Sequence, residues 1–505
     1  MKNLIVIMSD QQRADSLGCY GNSLACTPHI DELAKSGAVF RQHMTPNQIC
    51  SPSRSTLFSG LYPRHHGLTH NGISLPEDTA LITHDFKRAG YRTHGVGKFH
   101  FQPILADPEY QMPDSNAFWE KPENQSWNGP FYGFDTVDML IGESVAATQG
   151  GHYAQWLRSI SSDAAKLYSP EFSPSAVPED FDEVWTSAIP EELHYNSWIA
   201  ESACRFLEDV SDDPFFLFVS FPDPHHPFSP PRPWSELHCP ENMPLPEVKD
   251  GELCKMPAYI SDGMDESSKS YVDFLVRPGA PKEQGFMQTT HHISNKSIRK
   301  AIAHTYGMVS MIDAKVGQIK EAVYRNGLQD NTVILFTSDH GELLGDHGLI
   351  RKGPAPYRQV LNIPLIFSGS GIAAGSRNQL TSHVDIRSTL QDYFGLEKSS
   401  GDGQSFSEML ALPDCNGQSH IFCEYHPRVD RGLYNQTVIT KNWRLTIYPL
   451  NQEWGELFDR RNDPNEHENL FSDEKFAAVR DELILKIQRD WPARPDAGGE
   501  MIAVY

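Results

Sequence analysis

The 505 residues predict an α/β domain, a mainly parallel central sheet flanked by helices, followed by a smaller α+β unit. Three observations carry this expectation. Residues 4–8, 215–221 and 332–337 are apolar runs of strand length, with the near-continuous hydrophobicity of strands covered on both faces. Helical stretches alternate with them, as the crossovers of a parallel sheet require. Past about residue 410 the rhythm changes to shorter strand-like pieces and a terminal helix.

Residues 4–8 form the first strand, a run too short for the core of a signal peptide. Pro28–Ser36 is a helix, with Thr27 at the N-cap and Pro28 at the first helical position, where its missing N–H is harmless. Residues 91–96 lead as a strand into Lys98-Phe99-His100, and residues 297–321 form one long helix between the strands at 215–221 and 332–337. A strand at 365–368 and a helix at 385–394 complete a first domain of residues 1–410. Residues 411–505 make a subdomain with a short antiparallel sheet (438–440 and 444–448) and a terminal helix (474–489). Two stretches break the rhythm, 102–190 and 230–295. The first carries Trp119, Trp127, Phe131 and Tyr132 among Pro, Asn and Ser. Such insertions serve as a substrate rim, as a contact in a homo-oligomer, or as plain packing.

The charge of −23, from 66 acidic against 43 basic residues, speaks against nucleic acid as a partner. An enzyme of anionic esters with this charge must gather its few cations at the site. No segment approaches the apolar length of a membrane span. The eight cysteines show neither a CxxC pair nor zinc-ligand spacing. Their scatter suits a reduced compartment, with most of them buried, and predicts a cytoplasmic protein.

In open α/β sheets, ligands bind beyond the carboxyl ends of the strands. Asp10-Gln11 follow the first strand, Lys98 and His100 the second of interest, Asp223-Pro224-His225-His226 the third and Asp339-His340 the fourth. Asp10, Gln11, Asp339 and His340 together form a candidate divalent-metal site. Oxygen ligands suit Ca²⁺ or Mg²⁺, and the imidazole shifts the preference towards Mn²⁺ or Zn²⁺. Taken singly, Asp10 is equally well a helix cap and Asp339 a turn residue.

In Ile49-Cys50-Ser51-Pro52-Ser53-Arg54, Ser51 is suited to cap a helix and Pro52 to open it, so a helix should begin beside Cys50. Its N-terminus is a place to hold an anion, and Arg54 in the first turn adds charge. On spacing alone Cys50 is either a buried structural cysteine or a low-pKa thiolate nucleophile.

Cys50-Ser51-Pro52-Ser53-Arg54, continued by Leu57, Ser59, Gly60, Tyr62 and Pro63, resembles the C-x-P-x-R signature of the type I sulfatases of the alkaline phosphatase superfamily. Other segments match the same family: Ser9 to Asp15, Gly97-Lys98-Phe99-His100, Pro224-His225-His226-Pro227-Phe228, Ser338 to Glu342, Gly345-Asp346-His347-Gly348, Lys352-Gly353-Pro354, and Glu456-Leu457-Phe458-Asp459. The resemblance implies an alkaline phosphatase/sulfatase-like fold. It also implies hydrolysis of a sulfate monoester, aryl or carbohydrate, through a formylglycine made from Cys50 by a formylglycine-generating maturation enzyme. One divalent ion, Ca²⁺ first and Mn²⁺ or Mg²⁺ next, would be held by Asp10, Gln11, Cys50, Asp339 and His340. An oxygen of the hydrated aldehyde attacks sulfur, and collapse of the hemiacetal then releases sulfate. By the same resemblance His100 is the base for that collapse, and His225 and Lys352 bind sulfate and protonate the leaving oxygen. Lys98 and Arg54 hold the hydrate, and Asn71 contacts substrate. Gln11 and His340 depart from the pattern that often has a second aspartate and an asparagine. Phosphonate monoester and phosphodiester hydrolases of the superfamily share such substitutions and form the alternative, although they generally lack the lysine corresponding to Lys98.

Overall fold

Strand β1 (Asn3–Ser9) is buried at every residue and sends alternate side chains into two different cores. Leu4, Val6 and Met8 meet Leu57, Phe58, Ile386 and Leu390 on one face. Ile5 and Ile7 meet Ile30, Leu33, Ile199, Ile312 and Val316 on the other. This two-sided burial is what the unbroken apolar run called for. The computed structural model describes residues 2–210, 213–257, 287–426, 434–492 and 498–503.

The strands that follow are β2 (Ala38–Met44), β3 (Arg92–Gly97), β4 (Thr136–Met139) and β5 (Phe215–Ser220). Next come the short pair β6 (Gln288–Thr289) and β8 (Leu349–Ile350), then β7 (Thr332–Ser338), β9 (Leu365–Gly369) and β10 (Gly375–Ser382). The main sheet has the order β10-β2-β9-β7-β1-β5-β3-β4. Its pairs are parallel except at β9, which runs antiparallel to both β7 and β2. Helices α1 (Pro28–Ser36), α3 (Tyr195–Glu208) and α4 (Asn295–Arg325) cover one face; α2 (Cys50–Ser59) and α5 (Ile386–Phe394) cover the other. The fold class is the expected one.

Local differences have physical causes. The Thr27 hydroxyl does not cap α1; it donates to Asp31 and accepts from the Gly18 N–H. The cap comes from across the core, where Asp313 of α4 accepts from the N–H groups of His29 (3.2 Å) and Ile30 (2.7 Å). The long helix exceeds residues 297–321 at both ends: Ser294 caps it through the Ser297 N–H, and it runs about a turn further at the carboxyl end, where Val323 is still packed in the core. The cysteines depart from expectation more clearly. All eight are free thiols, but only Cys50, Cys204 and Cys423 are buried, because Cys26, Cys239 and Cys254 lie on exposed loops.

The carboxyl-terminal part is an antiparallel sheet, β11 (His420–Tyr425), β12 (Asn435–Thr440), β13 (Trp443–Ile447) and β14 (Gly455–Asp459), covered by α6 (Ala477–Asp490). Leu483 and Ile487 of α6 pack on Val438, Leu445 and Leu457. Tyr62 and Val384 join that cluster, and Met44 and Leu380 join Ile421, Ile439 and Phe458 in another. The two sheets therefore share apolar cores. Much of the 102–190 insertion packs inwards as well: Trp119, Phe131 and Tyr132 are buried in the core on the α2 side. The stretch 230–295 is described only in part, and residues 258–286 lie outside the described residues. Among the described residues no helix is long and apolar enough to cross a membrane.

Replacing the capping carboxylate tests the α1–α4 junction. Asp313→Ala leaves the buried Ile30 N–H and the part-buried His29 N–H unpaired and should lower stability by about 1–3 kcal/mol. Asp313→Asn keeps an acceptor and should lose less, as read from urea-unfolding midpoints.

Candidate active site

Strands β7, β1, β5 and β3 are neighbours in the sheet, and all four end on one edge. Asp10 and Gln11 leave β1, Asp339 and His340 leave β7, His225 and His226 follow β5, and Lys98 and His100 follow β3. Each of these side chains is buried. Gly97 makes the β3 end possible. Its φ is +100°, and a Cβ there would lie 1.9 Å from the Ser220 carbonyl oxygen of β5. Only glycine lets the two strands close at that point and turn Lys98 towards Asp10.

Helix α2 begins at Cys50 itself rather than after a Ser51 cap. Asn71 makes the difference: its Oδ1 accepts from the Ser51 N–H (3.1 Å), satisfying a first-turn donor from outside the helix. Asn47 does the same for Ile49 (2.8 Å). Cys50 is thus held in the first turn, fully buried. Its Sγ lies 3.2 Å from His340 Nε2 and 3.7 Å from Asp10 Oδ1. Burial, reinforced by Asp10, pushes the thiol up to about 12. The protein groups here do not produce a ready thiolate.

One turn further, Arg54 is buried and bonded to all four strand ends. Nε donates to Asp339 Oδ2 (2.8 Å) and Nη2 to Asp10 Oδ2 (3.1 Å). Nη1 donates to the Lys98 carbonyl (2.7 Å) and to Ser220 Oγ (2.9 Å). Lys98 Nζ adds ion pairs to Asp10 (2.8 Å) and Glu143 (2.9 Å). Burial alone would raise the Asp10 carboxyl, but Lys98 and Arg54 outweigh it and hold the group well below the usual carboxylate range.

Asp10, Cys50, Asp339 and His340 each offer a ligand atom, and these four atoms lie within 4.8 Å of one another. His340 Nδ1 faces the Gly341 carbonyl (2.9 Å), an acceptor, so Nδ1 carries the proton and Nε2 turns its lone pair inwards. Burial pushes this imidazole down to about 4, which keeps it neutral. Two carboxylates and a correctly oriented neutral imidazole are a donor set that fits a divalent cation.

The other end of the site is a hydrogen-bonded chain. Lys352 Nζ donates to Gln11 Oε1 (2.6 Å) and to His225 Nε2. Gln11 Nε2 donates to Glu342 and lies 3.0 Å from His226 Nδ1. The Gln11 side chain thus runs towards Lys352, while its backbone N–H bonds Asp339 (3.0 Å). His225 Nδ1 donates to the His226 carbonyl, leaving Nε2 as the acceptor for Lys352. Burial, then Lys352 for His225 and Lys98 for His100, holds both imidazoles well below their ordinary value. A cavity of about 170 Å³ adjoins Gln11 and Glu342, so open space meets this end of the site.

Known proteins match this chain in sequence and in fold. The sulfatase family model fits residues 2–396, and the model for the carboxyl-terminal part of N-sulphoglucosamine sulphohydrolase fits residues 345–491. The chain belongs to the sulfatase family. It is a sulfuric ester hydrolase. Among its relatives is an arylsulfatase of Clostridium perfringens, 26% identical over 94% of this chain and 91% of that protein. Another is the multifunctional alkaline phosphatase superfamily protein PehA of Trinickia caryophylli, 27% identical over 95% and 93%. A crystal structure of the phosphonate monoester hydrolase of Agrobacterium radiobacter superposes with a TM-score of 0.78 at 25% identity, covering 97% of this sulfatase and 95% of that chain.

Some groups in this sulfatase's site escaped sequence reasoning. Glu143, buried between Lys98 (2.9 Å) and His225 (3.8 Å), comes from the irregular insertion, where no periodicity marked it. Glu342 and His226 stood inside quoted motifs without a role. Tyr195 and Asn196 of α3 brace Asp223 with bonds of 2.5 and 2.7 Å. Asp346 pairs with Arg13 rather than entering the site.

Arg54 offers the sharpest test of this geometry. Arg54→Met should cost about 3–5 kcal/mol in urea unfolding, because it leaves two buried carboxylates without their cation.

Proposed function

We propose that this sulfatase uses a formylglycine made from Cys50 by a maturation enzyme, with one divalent ion beside it. The observation carrying the proposal is the convergence of Cys50 Sγ with the ligand atoms of Asp10, Asp339 and His340 within 4.8 Å. Hydrated, such an aldehyde supplies a hydroxyl nucleophile and an exit for sulfate without water attacking sulfur. The ion, Ca²⁺ in the first place and Mn²⁺ or Mg²⁺ next, supplies Lewis-acid polarisation of the sulfate. Asp10, Asp339, His340, the oxidised side chain at position 50 and Gln11 would hold it, Gln11 through the carbonyl that also accepts from Lys352.

The remaining residues have separable tasks. Lys98 and Arg54 pair with Asp10, and Arg54 pairs with Asp339, offsetting the charge of the two carboxylates. Lys352, bonded to His225 Nε2, is suited to bind sulfate, and the pair carries a proton to the leaving oxygen. His100, neutral through burial and the nearby Lys98, is suited to accept a proton from the side chain at position 50. Asn71, whose Oδ1 bonds the Ser51 N–H, leaves its amide to contact the ester. The ester itself is an aryl or carbohydrate sulfate monoester. The eight free thiols support a cytoplasmic setting.

A second activity beside sulfate ester hydrolysis, on phosphonate monoesters or phosphodiesters, draws support from Gln11 and His340 and from the TM-score of 0.78. Lys98, held between Asp10 and Glu143, favours the sulfate ester.

Co-expression with a maturation enzyme and mass spectrometry of the Cys50 peptide should show loss of the thiol mass and appearance of an aldehyde or its hydrate. A persistent free thiol in turning-over enzyme would overturn the proposal. His225→Ala in the matured enzyme should reduce kcat on an aryl sulfate by roughly 10²–10⁴-fold. Paired assays on aryl sulfates and aryl phosphonate monoesters decide between the two esters by their kcat/KM ratio. Chelation should abolish turnover, and readdition of Ca²⁺ should restore it more fully than Mn²⁺ or Mg²⁺.

A further inference from the structure

His347 takes no part in the site above, yet it is fully buried beside two other buried ligating side chains, Glu252 and His467. Its Nδ1 contacts Glu252 Oε1, and His467 Nδ1 lies 3.2 Å from Glu252 Oε2. One ligand atom from each of the three lies within 4.8 Å of the others. They come from separate parts of the chain: Glu252 from the second insertion, His347 from the loop between β7 and β8, and His467 from the segment after β14.

The local backbone aims His347 at this point. It sits at φ +60°, a conformation that L-residues rarely adopt, between Gly345 (φ +99°) and Gly348 (φ +68°). Its ring lies flat on Tyr357, with centroids 3.7 Å apart and planes within 12°. Such a backbone is held only where its surroundings over-determine it.

As a network of protons alone, the cluster is poorly used. If both rings donate Nδ1–H to Glu252, both buried Nε2 atoms are left as acceptors with no hydrogen-bond partner among the described residues. His467 Nε2 also lies 4.0 Å from the Glu247 carboxylate, beyond hydrogen-bond reach. With its proton on Nε2, His467 turns the Nδ1 lone pair towards the Glu252 carboxylate, an arrangement that a cation held between the two would stabilise. Glu247 is exposed at its side chain and would stabilise the outer proton, as carboxylates behind ligating histidines do.

We propose that Glu252, His347 and His467 form a second metal site, for Zn²⁺, distinct from the Asp10–His340 cluster and joining the insertion, the catalytic domain and the carboxyl-terminal sheet. Two imidazoles and a carboxylate form a three-protein-ligand zinc set with one position left for water. With the rings neutral, one zinc ion offsets Glu252 and Glu247 together. The site stands independently of the proposal for Cys50. Its consequence is mechanical: the short strand β8 leads from His347 towards Lys352, so zinc would brace the segment that carries Lys352.

The test is zinc content after chelation, reloading with zinc alone and desalting, measured by mass spectrometry of the metal. Wild-type protein should retain one more equivalent of zinc than either His467→Ala or Glu252→Gln, and Asp339→Asn should retain that equivalent. Zinc should raise the melting temperature of Asp339→Asn protein, and should raise that of wild type by more than that of the two site variants. Should the variants fail to fold, wild-type and Asp339→Asn protein still decide. If Asp339→Asn protein holds no zinc, or if His467→Ala and Glu252→Gln match wild type, the site is overturned.

Discussion

One buried guanidinium organises this molecule. Through four hydrogen bonds Arg54 touches the ends of β1, β3, β5 and β7, the four adjacent strands that carry the chemistry. Those bonds fix the height of α2 against the sheet, and with it the place of Cys50. A lysine could not do this, because its single ammonium lacks a planar fork reaching several acceptors in fixed directions. The carboxylates need the arginine as much as it needs them. Asp10 and Asp339 are both fully buried, where a carboxylate's charge is costly unless cations lie beside it.

The acidity of the chain as a whole therefore misleads about its centre. Arg54, Lys98 and Lys352 are all buried and all point into one site, against a net charge of −23. Burial keeps the surface charge from deciding what happens inside, and it also drives His100, His225 and His340 to their neutral forms. The site thus combines permanent cations, which the proposed function uses to hold an anion, with neutral imidazoles, which it uses to move protons. Those two duties require different residue types.

How much of this the sequence reveals depends on where a residue lies. Strands β1, β5 and β7 were legible because both faces are buried, which leaves an unbroken apolar run. Strand β10 was not: Gly375–Ser382 is an edge strand with polar, partly exposed side chains and carries no such run. The antiparallel course of β9 was hidden too, since a buried strand reads the same in either direction. In the site, the strand-end acids and histidines were visible from position, and Cys50 and Lys352 from the family signature. Glu143 was not, because an irregular insertion offers no periodicity from which to place a side chain. The cap of α2 was misjudged because its acceptor, Asn71, lies outside the local window in which capping is read.

The burial of Cys50 also has a consequence in time. Every residue of α2 is buried, and Cys50 has no exposed surface at all. Under the maturation proposed for Cys50, another protein's active site must grip a peptide segment around the sulfur it oxidises, and no such grip is available once the helix has docked. On that proposal modification and folding compete as rates. The chain must be captured while α2 is undocked, and molecules that fold first become stable, well-packed proteins carrying a permanently inaccessible thiol. Tight packing around Arg54, which makes the mature site precise, sets the deadline for making it.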